Sequence, residues 1–277
     1  MRVMHDSKSH HVEAFDSLYD MAQYAKSNKR PESSQSGSES FTGSASLQDA
    51  CDLAVAGWTE CRPQVDVLLT DLQDRINTVM SDHYMVQHDV AGADVNMGLF
   101  MSGEPECMMQ FVPEPEARMG RVVKVLVNGV TNAGTHKDRI IARGVGVIAL
   151  VNTLHLMGVG VELWFESPIV GTDGRTYSTV CKLHDSAQPL DIDNVMFALA
   201  HPSMLRRLVF SVQEQSEYKR QQRATTGNGY GSCTNLMLDR VLDFDVKVER
   251  LDYKDPVADN PLEWIVNKVT GLGLVTE

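Results

Sequence analysis

The stretch RVVKVLVNGVTNAGTHKDRIIARGVGVIALVNTLHLMGVGVELWFES, residues 121–167, decides the fold. VVKVLVN is β-rich and apolar on both faces apart from Lys124, which suits a strand covered on both sides, as in a parallel sheet. The run from Lys137 to Met157 is too long for one strand. It reads as a helix, with Gly158 as its stop. VGVELWFES is a second buried strand. A strand, a long helix and a strand in that order need a right-handed crossover, so the two strands are parallel.

Working outward, Asp173-Gly174 marks a tight turn, and TYSTVCKL follows after too short a loop for anything but an antiparallel strand. DIDNVMFALA and PSMLRR read as helical pieces, the second started by Pro202. LVFSV reads as a fourth strand, DFDVKVERLD as a fifth, and PLEWIVNKVTGLG as a closing amphipathic helix. The order predicts a doubly wound α/β sheet, mostly parallel with one antiparallel strand. Ligands of such sheets bind beyond the carboxyl ends of the strands. Here those ends are the loops at 128–137, 167–175, 214–234 and 252–260.

Before residue 118 the chain reads as a helical N-terminal region. FDSLYDMAQYA places Phe15, Leu18, Met21 and Ala22 near one helical face. Residues 28–40, rich in serine, read as a flexible linker. LQDACDLAVAGW is a helix capped by Ser46 and stopped near Gly57, and VDVLLTDLQDRINTVM carries a helical stripe. Residues 81–116 read as loops and short strands. The expected division is 1–40, 41–117 and 118–277.

The chain has 277 residues, 43% of them hydrophobic, and a net charge of −12. This supports a globular core and argues against general, phosphate-driven binding of nucleic acid. No apolar run stands out as a membrane span and no signal-peptide core is visible, so the expected place is the cytoplasm. The five cysteines (Cys51, Cys61, Cys107, Cys181, Cys233) are scattered, which fits reduced thiols better than disulfides or zinc.

The loop after the first strand admits three readings. Gly129 and Gly134 have the spacing of a phosphate loop, but Lys137 arrives two positions late to reach a phosphate. In a divalent-metal loop, Thr131, Thr135 and Asp138 would supply oxygens, but the anionic ligand that a hard cation such as Mg²⁺ needs is missing. In the third and favoured reading Asn128, Gly129 and Gly134 form a turn, Thr135 caps the helix, and the polar loop is a protein-binding surface. GVG at Gly144–Gly146 lies inside the helix and lets it approach the sheet closely.

The strand order and the place of this loop resemble the von Willebrand factor A fold. In that family the first strand ends in D-x-S-x-S, whose oxygens hold Mg²⁺. The matching positions here are Asn128-Gly129-Val130-Thr131-Asn132, so the resemblance implies a degenerate metal site. FTGSASLQDACDLAVAGW, DVAGADVNMGLFMSGEPECM, IIARGVGVIALVNTLHLMGVGVELW and LAHPSMLRRLVFS resemble an uncharacterised family of tailed-bacteriophage proteins. That resemblance covers Phe41 to Val212 and implies a phage origin.

Two other constellations stand out. His83 and His88 lie five apart, each beside an aspartate, and read as surface histidines. EYKRQQRATTGNGYG, residues 217–231, gathers Lys219, Arg220 and Arg223 with Tyr218 and Tyr230, and Thr225 and Thr226 follow. Single-stranded nucleic acid favours such mixtures, but the overall charge favours a solvated loop or an acidic partner. The expectation is a non-enzymatic interaction module without cofactor, binding a phage or host protein through Asn128, Thr131, Asn132, Thr135, Asp173 and Arg223. The alternatives are a metal-dependent enzyme acting on nucleotides or nucleic acid, and a virion structural component.

Overall fold

A computed structural model describes residues 1–277 apart from 31, 81–83, 114–120, 172, 218–228 and 275–277. The central strands are β6 (Val122–Asn128) and β7 (Gly160–Val170), paired in parallel and joined by the long helix α7 (Lys137–Leu156). β10 (Val246–Val248) lies parallel on the other side of β6, and β8 (Thr176–His184) returns antiparallel to β7. This is the α/β class read from the sequence: a mostly parallel core sheet flanked by helices, consistent with a doubly wound fold.

The sheet reaches further than expected. β1 (Arg2–Asp6) and β2 (His10–Phe15) extend it beyond β8, giving the order β1-β2-β8-β7-β6-β10 with a short β9 (Ser232–Cys233) against the end of β7. Every residue of HHVEAF is buried. Its polar side chains escape an unpaired interior because His10 Nε2 meets Ser178 Oγ at 3.0 Å and Ser216 donates to Glu13 Oε1 at 2.6 Å.

Odd and even positions of the strands face two different layers. Val123, Val125, Val127, Leu163 and Phe165 face the main core. That core is shared with α1 (Leu18–Lys26), α4 (Leu47–Ala56), α5 (Arg62–Met80), α7, α8 (Ile192–Ala200) and the last helices, Pro256–Asp259 (α10) and Pro261–Gly271 (α11). Val12, Ala14, Leu126, Trp164 and Val180 face the other way, against Leu236 and Leu238. Ser17, Ser46, Asp191 and Asn260 cap their helices by accepting backbone N–H groups.

Three expectations change. LVFSV is not a strand: Met204–Val209 is π-helical and runs on as α9 (Phe210–Gln215). Leu208, Val209 and Val212 are buried on it, and a five-residue apolar run carries no period to tell the two apart. Residues 28–40 are not a loose linker. They hold short helices, α2 (Ser33–Ser36) and α3 (Glu39–Thr42), with Asn28, Ser34 and Thr42 buried. Arg207, fully buried, donates to the carbonyls of Ser34, Gln35, Gly37, Ser44 and Ala45 and so folds this segment around itself. Gly144 and Gly146 serve helix contacts rather than the sheet. A Cβ on Gly144 would stand 2.5 Å from Ala200 Cβ, and one on Gly146 would meet Val257 at 2.8 Å.

By length and composition α7 is apolar enough to cross a membrane. Its place in the fold accounts for that composition, since Val145 through Val151 are all buried in the core. Residues 84–113 build a separate small sheet of β3 (Tyr84–Asp89), β5 (Met108–Pro113) and β4 (Asp94–Val95), carrying α6 (Met97–Ser102).

Candidate functional site

The loop after β6 is anchored from within. Asn128 is fully buried, so it is no surface contact. Its Nδ2 donates to the Thr234 carbonyl at 3.0 Å and its Oδ1 accepts from Val130 N at 3.0 Å. Its own carbonyl accepts from Arg143 at 2.8 Å. Arg143 also donates to the carbonyls of Val248 and Glu249, and its Nε lies 3.3 Å from the Asp255 carboxylate. Burial pulls the Arg143 guanidinium down to about 10, against the pull of Asp255 and Glu249. One buried cation thus ties β6 to the end of β10 and to α10. Gly129 is demanded by a close approach: a Cβ there would lie 1.9 Å from Phe165 Cε2.

The remaining expected residues separate. Thr131 and Asn132 line a cavity. Thr135 does not cap α7; the cap is His136, whose Nδ1 accepts from Asp138 N. The Thr135 carbonyl accepts instead from Arg206 at 3.1 Å. Asp173 is exposed at the β7–β8 turn, accepting from Arg175 N at 3.0 Å and from the Tyr177 hydroxyl at 2.7 Å. Arg223 lies outside the described residues, as do Tyr218, Lys219, Arg220, Thr225, Thr226 and His83. His88 meets Asn96 at 3.0 Å on the small sheet.

The cavity, about 590 Å³, opens at the carboxyl ends of β6 and β7, between the β6–α7 loop, α9 and residues 229–233. Its inner wall includes Ser167 and Gln213, both buried. Ser167 Oγ, Gln213 Oε1 and Thr131 Oγ1 have no hydrogen-bond partner among the described residues. Arg206 and Arg250 are the cations among its described lining residues. Cys233 also lines it; its thiol points to the Thr131 carbonyl, and burial pushes its pKa up, away from the thiolate. Among the described residues no cluster of three or more His, Cys, Asp or Glu is placed to hold a metal.

A family model matches residues 4–268. The chain belongs to that family, Domain of unknown function (DUF7192). Comparison with curated proteins and with solved structures gives no match. In this DUF7192 chain, sequence reasoning missed the buried ionisable groups. Glu166 is fully buried on β7, accepts from Ser178 Oγ and from Met237 N and Leu238 N, and burial raises it to about 7 despite those donors. Glu214 accepts from Asn28, Ser34 and Tyr230. The available signal was a charged residue inside an apolar run: Glu166 in LWFES, and Arg206-Arg207 in MLRRLVF.

Proposed function

We propose that the chain is a non-enzymatic interaction module of von Willebrand A-like type, phage-encoded, that binds a protein partner in the cytoplasm of an infected cell. The observation that carries the binding reading is α6. None of its residues is buried, and Met97, Phe100 and Met101 stand 61%, 60% and 82% exposed. Val86 and Val90 add to the exposed apolar surface of the same small sheet. Apolar residues grouped in this way on a surface mark interaction sites. The exposed strand-end residues Asn132 and Asp173 offer a polar second contact.

Support for the von Willebrand A-like reading is the order β8-β7-β6-β10, with α7 crossing from β6 to β7 and only β8 reversed among the four. Asn128, which the resemblance matches to that family's metal-binding aspartate, turns inward to Thr234 and Val130. The loop keeps its shape through amide hydrogen bonds where the family uses a cation.

The test is affinity capture from infected cells with wild type, Met101→Glu and Asn132→Ala. Both positions are exposed, so melting temperatures should stay within the small range of surface substitutions. Proteins captured by wild type and lost with Met101→Glu support the reading. Equal capture by all three overturns it.

A further inference from the structure

We propose that the strand-end cavity is a binding site for a nucleoside monophosphate unit, an aromatic base carrying a phosphate. This goes beyond partner binding through α6, and the two stand or fall separately. The first argument is charge. The chain carries −12 overall, yet the described lining of this cavity contains two arginines and no carboxylate. Arg206 is buried, and its hydrogen bonds go to the neutral carbonyls of Phe41 and Thr135. Arg250 has one loose ion pair, 3.5 Å from the exposed Asp252, and otherwise donates to the Cys233 carbonyl. A buried cation facing only neutral acceptors is complemented by an anion, and guanidinium suits phosphate.

The second argument is the polar part of the wall. Ser167, Gln213 and Thr131 line the space, and their Oγ, Oε1 and Oγ1 atoms are buried with no protein partner among the described residues. Buried polar atoms left so are costly, and a ligand that donates and accepts at its edge would satisfy them. The exocyclic groups of a base do both.

The third argument is shape. Phe210 and Tyr230 stack 3.7 Å apart at 4°, and Phe41 lies under the Arg206 guanidinium at 4.3 Å. These make flat apolar sides on which a base can stack. The volume of about 590 Å³ lies within the range of about 300–1,000 Å³ typical of small-molecule sites. Inorganic phosphate alone would leave the aromatic sides and the unpaired oxygens unused. A duplex could not enter, and the overall charge would repel it.

The test is calorimetric titration of the full chain with AMP, GMP, CMP and UMP, beside adenosine, inorganic phosphate and a 5′-phosphorylated tetranucleotide. At least one monophosphate should bind at least about tenfold more tightly than adenosine or inorganic phosphate, because both halves of the site are used. Comparable binding of the tetranucleotide would place the unit at a strand end; its failure to bind would place it on a free nucleotide. Arg250→Gln, at the half-exposed rim, should weaken binding about tenfold to a hundredfold. Ser167→Ala separates ligand from structure: it removes a hydroxyl with no protein partner, so the unliganded melting temperature should hold or rise while nucleotide affinity falls. No binding of any monophosphate, or binding equally strong in Arg250→Gln and Ser167→Ala, overturns the proposal. Neither result touches capture through Met101.

Discussion

Gly129→Ala is a small change at the point where β6 ends, and its cost follows from one distance. The new methyl would lie 1.9 Å from Cε2 and 2.1 Å from Cζ of Phe165. Carbon atoms rest about 3.5–4.0 Å apart, so ring and methyl must separate by roughly 1.5 Å or more. Phe165 is 2% exposed within the main core, and close-packed interiors offer no free direction for that shift. Overpacking costs about 1–3 kcal/mol, and an overlap this deep belongs at the upper end, about 3 kcal/mol. That is a large part of a typical stability of about 5–15 kcal/mol. Urea denaturation followed by circular dichroism measures it. Phe165→Leu alone should lose about 1–2 kcal/mol by leaving a gap. In the double variant that gap receives the methyl, so the combined loss should fall about 2 kcal/mol short of the sum. Additivity within about 0.5 kcal/mol, or an unchanged Gly129→Ala, would show that contact with Phe165 is not why glycine stands there.

Two further outcomes are expected. Glu166 is raised from the ordinary 4.5 to about 7 by burial. The unfolded chain therefore releases this proton first, the native state binds more protons between those values, and stability falls as pH rises through that window. The loss reaches about 3 kcal/mol above pH 7. Glu166→Gln should abolish it, read as a wild-type-minus-variant difference in urea midpoints that shifts between pH 4.5 and pH 8; a constant difference would refute the assignment. Arg207→Met takes a donor from five carbonyls, of which, among the described residues, only that of Ser44 keeps another, from Thr42 Oγ1, and the unsatisfied acceptors should cost at least about 3 kcal/mol. Amide hydrogen exchange should speed up first across residues 33–46, and uniform acceleration along the chain would argue against that local role.

What the sequence disclosed follows from how each segment meets its neighbours. VVKVLVN and VGVELWFES read correctly because both faces of each strand are covered, and only an apolar run can be covered twice. The helix between them read correctly because twenty residues exceed any ordinary strand. HHVEAF did not read as a strand, because its histidines and glutamate are buried by pairing with residues far along the chain, which no local pattern records. LVFSV was too short to carry a period. The small-residue loop was rightly placed at the strand end, but Asn128 was assigned outward when its amide is needed inward to hold Thr234 and Val130. The cavity was illegible for a different reason. Phe41, Thr131, Ser167, Arg206, Gln213 and Arg250 come from five separate segments, and only Arg206 and Gln213 share one helix.

The pairing of β2 with β8 also sets an order of events during synthesis. His10 and Ser178 touch across 168 residues of chain. At about 5–20 residues per second, a ribosome needs roughly ten to thirty seconds to pass from one to the other. Throughout that interval β2 has no strand neighbour but β1, and a lone hairpin is marginal in water. β2 is therefore made long before the strand that secures it, and closing so long a loop is entropically slow. A fusion that tethers or crowds the first fifteen residues would act on that closure.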